Sequence, residues 1–320
     1  MSAFLTPDTL VLLITESLLL LLLLVLLPSL WGLARRFDIR QTTPEQYRLE
    51  KRADLAATII RFVLWVKIAL FIYFIYALDH LSNVITGAMC AAGVINAWSY
   101  GALLLGWKLG GLYLFGFWLV LNRLDLERER LPFSRMKFRF ALVLVLFVLI
   151  EFVLLLGYLD ALDPATIVSC CGTLFSSTNT STLGTLLKLP LPWLLGLFYG
   201  LYGGIVLLGM LRRPWGMGLA TLVFIPVALL AVISFFSTYV YELPTHTCPF
   251  CLLQKEYGYM GYWLYALLFI GTFRLLSGSL ESLLTRQSEG FRISVLFLSA
   301  FVIMTTYYPV SYYLTNGVFL

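Results

Sequence analysis

Charge is what this 320-residue sequence has least of: Asp, Glu, Lys and Arg make up 12% of it, about half the share of a soluble domain. A water-solvated globular enzyme is thereby excluded. Histidine is nearly absent, at two residues, His80 and His246, and neither falls in the middle of an apolar run. A haem held between two histidines inside a bilayer therefore has no ligands. No Lys or Arg precedes Arg35, and no small-residue cleavage site follows the first apolar run. The positive n-region of a cleaved signal peptide is missing, so this run is expected to remain as a helix. Alternation of period two is missing as well, which argues against a membrane β-barrel. Neither a nucleic-acid motif nor a solvent-exposed domain large enough to hold one occurs, so nucleic acid is not an expected partner.

Apolar residues fill the space that charge leaves, at 60% of the chain, with a mean hydropathy of +0.90. Apolar stretches of about 20 residues recur throughout, the length that crosses a bilayer core as a helix. The sequence predicts an all-α polytopic membrane protein surrounded by lipid, with eight spans near 8–31, 55–78, 101–121, 140–159, 189–211, 216–239, 256–274 and 293–313. Segment 32–54 holds Arg35, Arg36, Arg40, Arg48, Lys51 and Arg52; segment 122–139 holds Arg123, Arg128, Arg130, Arg135, Lys137 and Arg139. With Arg212, Arg213, Arg274, Arg286 and Arg292, these put most of the 22 basic residues on alternate loops. The opposite loops hold only Lys188 and Lys255. The positive-inside rule assigns the basic loops to the cytoplasm, so both termini are expected outside an inner (cytoplasmic) membrane.

That topology puts all five cysteines on the extracytoplasmic face, where disulfides form and persist. Cys90 follows span 2, Cys170 and Cys171 lie between spans 4 and 5, and Cys248 and Cys251 form Cys-Pro-Phe-Cys before span 7. With span 7 starting directly afterwards and Pro249 suited to a first turn, the pair is expected at a helix amino terminus, where unpaired N–H groups stabilise a thiolate. Cys248 reads as the outer, more accessible thiol and Cys251 as the deeper one. A c-type haem needs His directly after the second Cys, and Leu252 stands there. The adjacent Cys170 and Cys171 have α-carbons about 3.8 Å apart, below the usual disulfide range of roughly 4.4–6.8 Å. One of them is expected to reach a distant cysteine, with Cys90 or Cys248 the candidates. His246 stands close enough in sequence to ligate a metal or tune a thiol, and reads equally well as a plain loop histidine.

The stretch Ser169–Gly203, beginning SCCGTLFSSTNTSTLGTLLKLP, resembles the loop and following helix of the vitamin K epoxide reductase-like family, and Cys248-Pro249-Phe250-Cys251-Leu252 resembles its CPxCL motif. The more distant bacterial DsbB-type enzymes share this four-helix logic. The resemblance covers spans 4–7 and implies a four-helix redox core over 140–275, with three appended helices in 1–139 and a final one in 276–320. It further implies that Cys251 contacts a quinone, with Ser176, Ser177 and Tyr257 lining its pocket. Cys248 would exchange with a loop cysteine, and Cys170 or Cys171 would receive electrons from an extracytoplasmic or periplasmic thioredoxin-like protein. The family's second loop cysteine, several residues upstream, is absent from GYLDALDPATIV; a neighbouring Cys or Cys90 is the candidate to replace it.

The function expected is a quinone-linked membrane thiol–disulfide oxidoreductase. Two alternatives stand beside it: a soft-metal (copper-type) binding or transport protein using Cys90, Cys170, Cys171, His246, Cys248 and Cys251, and a structural subunit of a respiratory complex. Within the spans, Lys67 and Glu151 each fall near mid-span and are expected to pair, since an isolated charge there is costly. Arg61 and Lys108 are expected to snorkel towards an interface. The topology is tested by a membrane-impermeant maleimide on cells with a permeable outer envelope: reduced Cys248 or Cys170 is expected to label while the inner membrane is intact. Labelling only after lysis reverses the orientation.

Overall fold

The computed structural model describes residues 6–38, 43–88, 90–98, 100–128, 131–162, 189–285 and 291–320. All regular structure among them is helical, and eight of the helices are long and apolar enough to span a membrane. In chain order the helices are α1 Pro7–Arg36, α2 Pro44–Leu81, the short α3 Ala91–Asn96, α4 Gly101–Leu126, α5 Ser134–Ala161, α6 Leu191–Met210, α7 Pro214–Tyr241, α8 Met260–Thr285 and α9 Phe291–Asn316. The chain divides into two compact units, Met1–Val168 and Ser169–Leu320.

Local chemistry sets the ends. Helices α1 and α2 both start with Thr-Pro: Thr6 accepts from the Thr9 amide at 3.5 Å and Thr43 from the Gln46 amide at 3.2 Å. Proline at the first helical position lacks a donor that would have no partner there. Arg35 and Arg36 close α1 on the negative end of its dipole. Helix α2 runs for 38 residues, about 57 Å at 1.5 Å per residue, well beyond a bilayer core of about 30 Å. Its first turns carry Glu45, Arg48, Glu50, Lys51 and Arg52, so a segment expected as loop continues as a polar helix outside the hydrocarbon.

The first unit is a ring of four long helices: α1 packs on α2 and α5, and α4 packs on α2 and α5. Buried α3 rests against α2 and α4, held by the Tyr158 hydroxyl, which donates to the Val94 carbonyl at 2.9 Å. In the middle of the ring each long helix contributes one charge. Lys67 of α2 donates to Glu16 of α1 at 2.6 Å; Lys108 of α4 donates to Glu16 at 2.7 Å and to Glu151 of α5 at 2.6 Å. Lys67 Nζ also stands 2.8 Å from Glu151 Oε2, a charge contact without hydrogen-bond direction that leaves that oxygen short of a donor. The Phe74 and Phe115 rings lie 4.9 Å from Lys108 Nζ and 5.9 Å from Lys67 Nζ, respectively.

The expected Lys67–Glu151 pairing is therefore present. Lys108 does not snorkel: it is 4% exposed and lies between two carboxylates. Turning it to an interface would strand Glu16 and Glu151 with one cation between them. Glu151 also explains why α5 belongs to the first unit: its partners are on α2 and α4. The compact units divide after Val168, and spans 5–8 belong to the second unit.

The second unit packs α6 on α7, α7 on α8 and α8 on α9. Hydroxyl–hydroxyl hydrogen bonds between Tyr199 and Thr306 (2.9 Å) and between Tyr202 and Ser299 (2.8 Å) join α6 to α9. Its centre is aromatic, with Phe198 against Phe224, Phe236 and Phe301 at centroid distances of 5.4, 5.2 and 6.2 Å. Helix α7 passes through a π-helical turn, Val232–Phe236, six residues after Pro226. Side-chain hydroxyls take up carbonyls there, Ser237 bonding Ile233 at 3.0 Å and Thr238 bonding Phe235 at 2.7 Å.

Replacing Lys67 by Met leaves three buried charges of uneven sign and is expected to remove about 3–5 kcal/mol of stability. Lys67→Met combined with Glu16→Gln restores neutrality and is expected to recover a large part. Thermal unfolding of the detergent-purified chain reads both, and equal midpoints for single and double variants would refute the charge-balance account.

Candidate functional site

The Cys-Pro-Phe-Cys motif lies in the connection between α7 and α8. Glu242, in the left-handed conformation at φ +54°, stops α7, and the Leu243 amide returns to the Thr238 carbonyl at 3.1 Å. A turn from Leu243 to His246 follows, and Cys251–Leu253 and Lys255–Tyr257 form two single 3₁₀ turns. Gly258 and Tyr259, at φ +62° and +55°, then reverse the chain so that α8 begins only at Met260. Gly261 lets the Leu252 backbone pack on the first turn of α8, since a Cβ there would sit 2.9 Å from it.

This corrects the expected placement. The cysteines do not cap α8: its start is nine residues beyond Cys251, and a helix dipole acts only over its first turn. Cys248 is not the more accessible thiol either. It is fully buried at 0% exposure, against 6% for Cys251, and the chain turns directly after it at Pro249 and Phe250. The two sulfurs lie within 4.8 Å of each other.

Tyrosines surround the motif. The Tyr241 hydroxyl, at the end of α7, donates a short hydrogen bond to the Cys248 carbonyl, and Tyr265 of α8 donates to the Pro249 carbonyl at 2.8 Å. The Tyr241 ring meets His246 edge-on at 4.5 Å and Tyr257 at 4.5 Å. His246 Nε2 is buried and makes no hydrogen bond among the described residues. Partial desolvation, then the neighbouring Cys251 and Glu256, hold the Tyr257 phenol above its ordinary pKa.

Of the other expected site residues, Cys90 belongs to the first unit, where it is buried and precedes α3, its carbonyl accepting from the Gly93 amide at 3.0 Å. Cys170, Cys171, Ser176 and Ser177 lie outside the described residues. A cavity lined by Pro214, Met217, Arg274, Leu275, Phe291 and Ser294 opens at the other ends of α7, α8 and α9 from the cysteines. Sequence reasoning missed Tyr241, Tyr265 and Glu16. The tyrosines look like any interfacial aromatic, whereas Glu16, an acid inside a leucine-rich run, carried a usable signal. Comparison with protein-family models, with curated proteins and with solved structures returns no match to the chain.

The burial order makes a kinetic prediction. In the reduced full-length chain, N-ethylmaleimide is expected to modify Cys251 before Cys248, as located by tandem mass spectrometry. The opposite order would mean that the turn opens from its Cys248 side.

Proposed function

We propose that the chain is a membrane thiol–disulfide oxidoreductase that takes electrons from extracytoplasmic protein thiols and delivers them from Cys248 and Cys251 to a quinone. The observation that carries this reading is the pair itself: two sulfurs within 4.8 Å, in the connection between two spanning helices. A quinone fits the residues present, because His246 Nε2 is a buried polar atom without a partner and a quinone carbonyl is of the kind that would satisfy it. When bound, the quinone supplies a sink for two electrons and two protons.

The chain's own residues divide the work by exposure. Cys251, the less buried sulfur and the neighbour of Tyr257, is the one that meets the acceptor. Cys248, wholly buried, is out of reach of an external protein, so a second cysteine of the chain must relay electrons to it; Cys170 or Cys171 is assigned that role. Thiolate exchange passes the electron pair from the substrate dithiol, through the relay, to the Cys248–Cys251 disulfide. In balance, one substrate dithiol and one quinone yield one disulfide and one quinol. The distribution of basic loops supports an extracytoplasmic reading of this face, for which a thioredoxin-like protein is the fitting partner.

The test uses the reduced full-length chain with a short-chain ubiquinone analogue. One quinol per chain and the loss of two alkylatable thiols are expected. Cys251→Ser, which lacks one sulfur of the pair, should form no quinol and keep its alkylatable thiols. An unchanged thiol count in the unsubstituted chain refutes the reading, and a bound metal lost equally in Cys248→Ser and Cys251→Ser would favour a soft-metal site instead.

A further inference from the structure

We propose that Tyr241 and Tyr265 are positioning residues for the Cys248–Cys251 couple, an inference that rests on the thiol-exchange reading. A turn outside regular structure must find a donor for each buried carbonyl. In this motif the second half is satisfied locally: the Phe250 carbonyl accepts from the Leu253 amide at 2.9 Å and the Cys251 carbonyl from the Gln254 amide at 3.0 Å. The first half is satisfied from outside, at Cys248 by Tyr241 and at Pro249 by Tyr265. The two phenols come from different spanning helices, α7 and α8, so the first half of the motif is gripped from both sides.

Both phenols also lie within electrostatic range of the two sulfurs. The grip therefore acts on the segment whose geometry decides whether the sulfurs meet. Closing the disulfide draws them from within 4.8 Å to a bond of about 2.05 Å. A dithiol turn already held in shape loses little conformational freedom on closing, which raises the effective concentration of one thiol at the other. Without a phenol the dithiol form loosens more than the disulfide form, which the covalent bond still ties. Closure becomes less favourable.

The equilibrium to measure is dithiol plus glutathione disulfide giving the Cys248–Cys251 disulfide plus two glutathione thiols, which carry off both electrons and both protons. The full-length chain in detergent is equilibrated across glutathione ratios, quenched with an alkylating mass tag and analysed by mass spectrometry. Tyr241→Phe and Tyr265→Phe are each expected to lower the closure constant about fivefold, the worth of one ordinary hydrogen bond. Tyr259→Phe removes an exposed hydroxyl that bonds neither carbonyl and should leave the constant unchanged. If Tyr241→Phe fails to fold, Tyr265→Phe decides alone. Closure constants equal to wild type in folded variants overturn the positioning role while leaving the thiol-exchange reading intact. A wild-type chain that closes no Cys248–Cys251 disulfide at any ratio overturns both.

Discussion

A charge in hydrocarbon without a partner is the least tolerable thing a spanning helix can carry, and the first unit is arranged around that constraint. Glu16, Lys67, Lys108 and Glu151 come from four helices and are 2–4% exposed. Any one of them alone would favour a helix left outside the assembly. Together they alternate in sign around a closed circuit, with each ammonium between two carboxylates. Apolar packing between helices in lipid specifies little, because lipid tails are as apolar as leucine. The circuit specifies helix order and register, since a one-residue slip would turn a charge towards lipid. It also draws α5 into the first unit.

The second unit meets the same absence of water by different means. It holds no comparable buried charge circuit among the described residues, and its middle is filled by phenylalanine. Where α7 departs from α-helical geometry at Val232–Phe236, hydroxyls of Ser237 and Thr238 take up carbonyls that the π turn would leave short. That solution carries α7 on to Tyr241, so the Cys-Pro-Phe-Cys turn is hung from a helix whose irregular segment is already satisfied. Among the unit's described residues, His246 Nε2 and Ser234 Oγ are the buried side-chain polar atoms without a hydrogen-bond partner.

Burial governs what the cysteines can do. A motif at a helix amino terminus would draw thiolate stabilisation from the dipole, but this one sits in 3₁₀ turns well before α8. Its surroundings are instead two phenol hydroxyls, an imidazole and the sulfurs themselves. The fully buried Cys248 and the slightly exposed Cys251 are chemically unequal, and that inequality gives the proposed electron path its direction.

The sequence by itself determined the class, the number of spans and their approximate limits, because run length and scarcity of charge reflect the bilayer and need no partner to be legible. It determined the basic loops for the same reason, and it marked Lys67 and Glu151 as needing a partner. Glu16 was equally visible in its leucine run, yet which charge meets which depended on helix order, a long-range property. Only the tertiary structure decided that Lys108 turns inward, that α5 joins the first four-helix ring, and that α8 starts late. The start of α8 depends on left-handed residues at 258 and 259, and Tyr259 carries no propensity that announces one. Only the tertiary structure brought Tyr241 and Tyr265, 24 residues apart in the sequence, to adjacent carbonyls, because nothing local tells a tyrosine at a membrane interface from one that holds a turn.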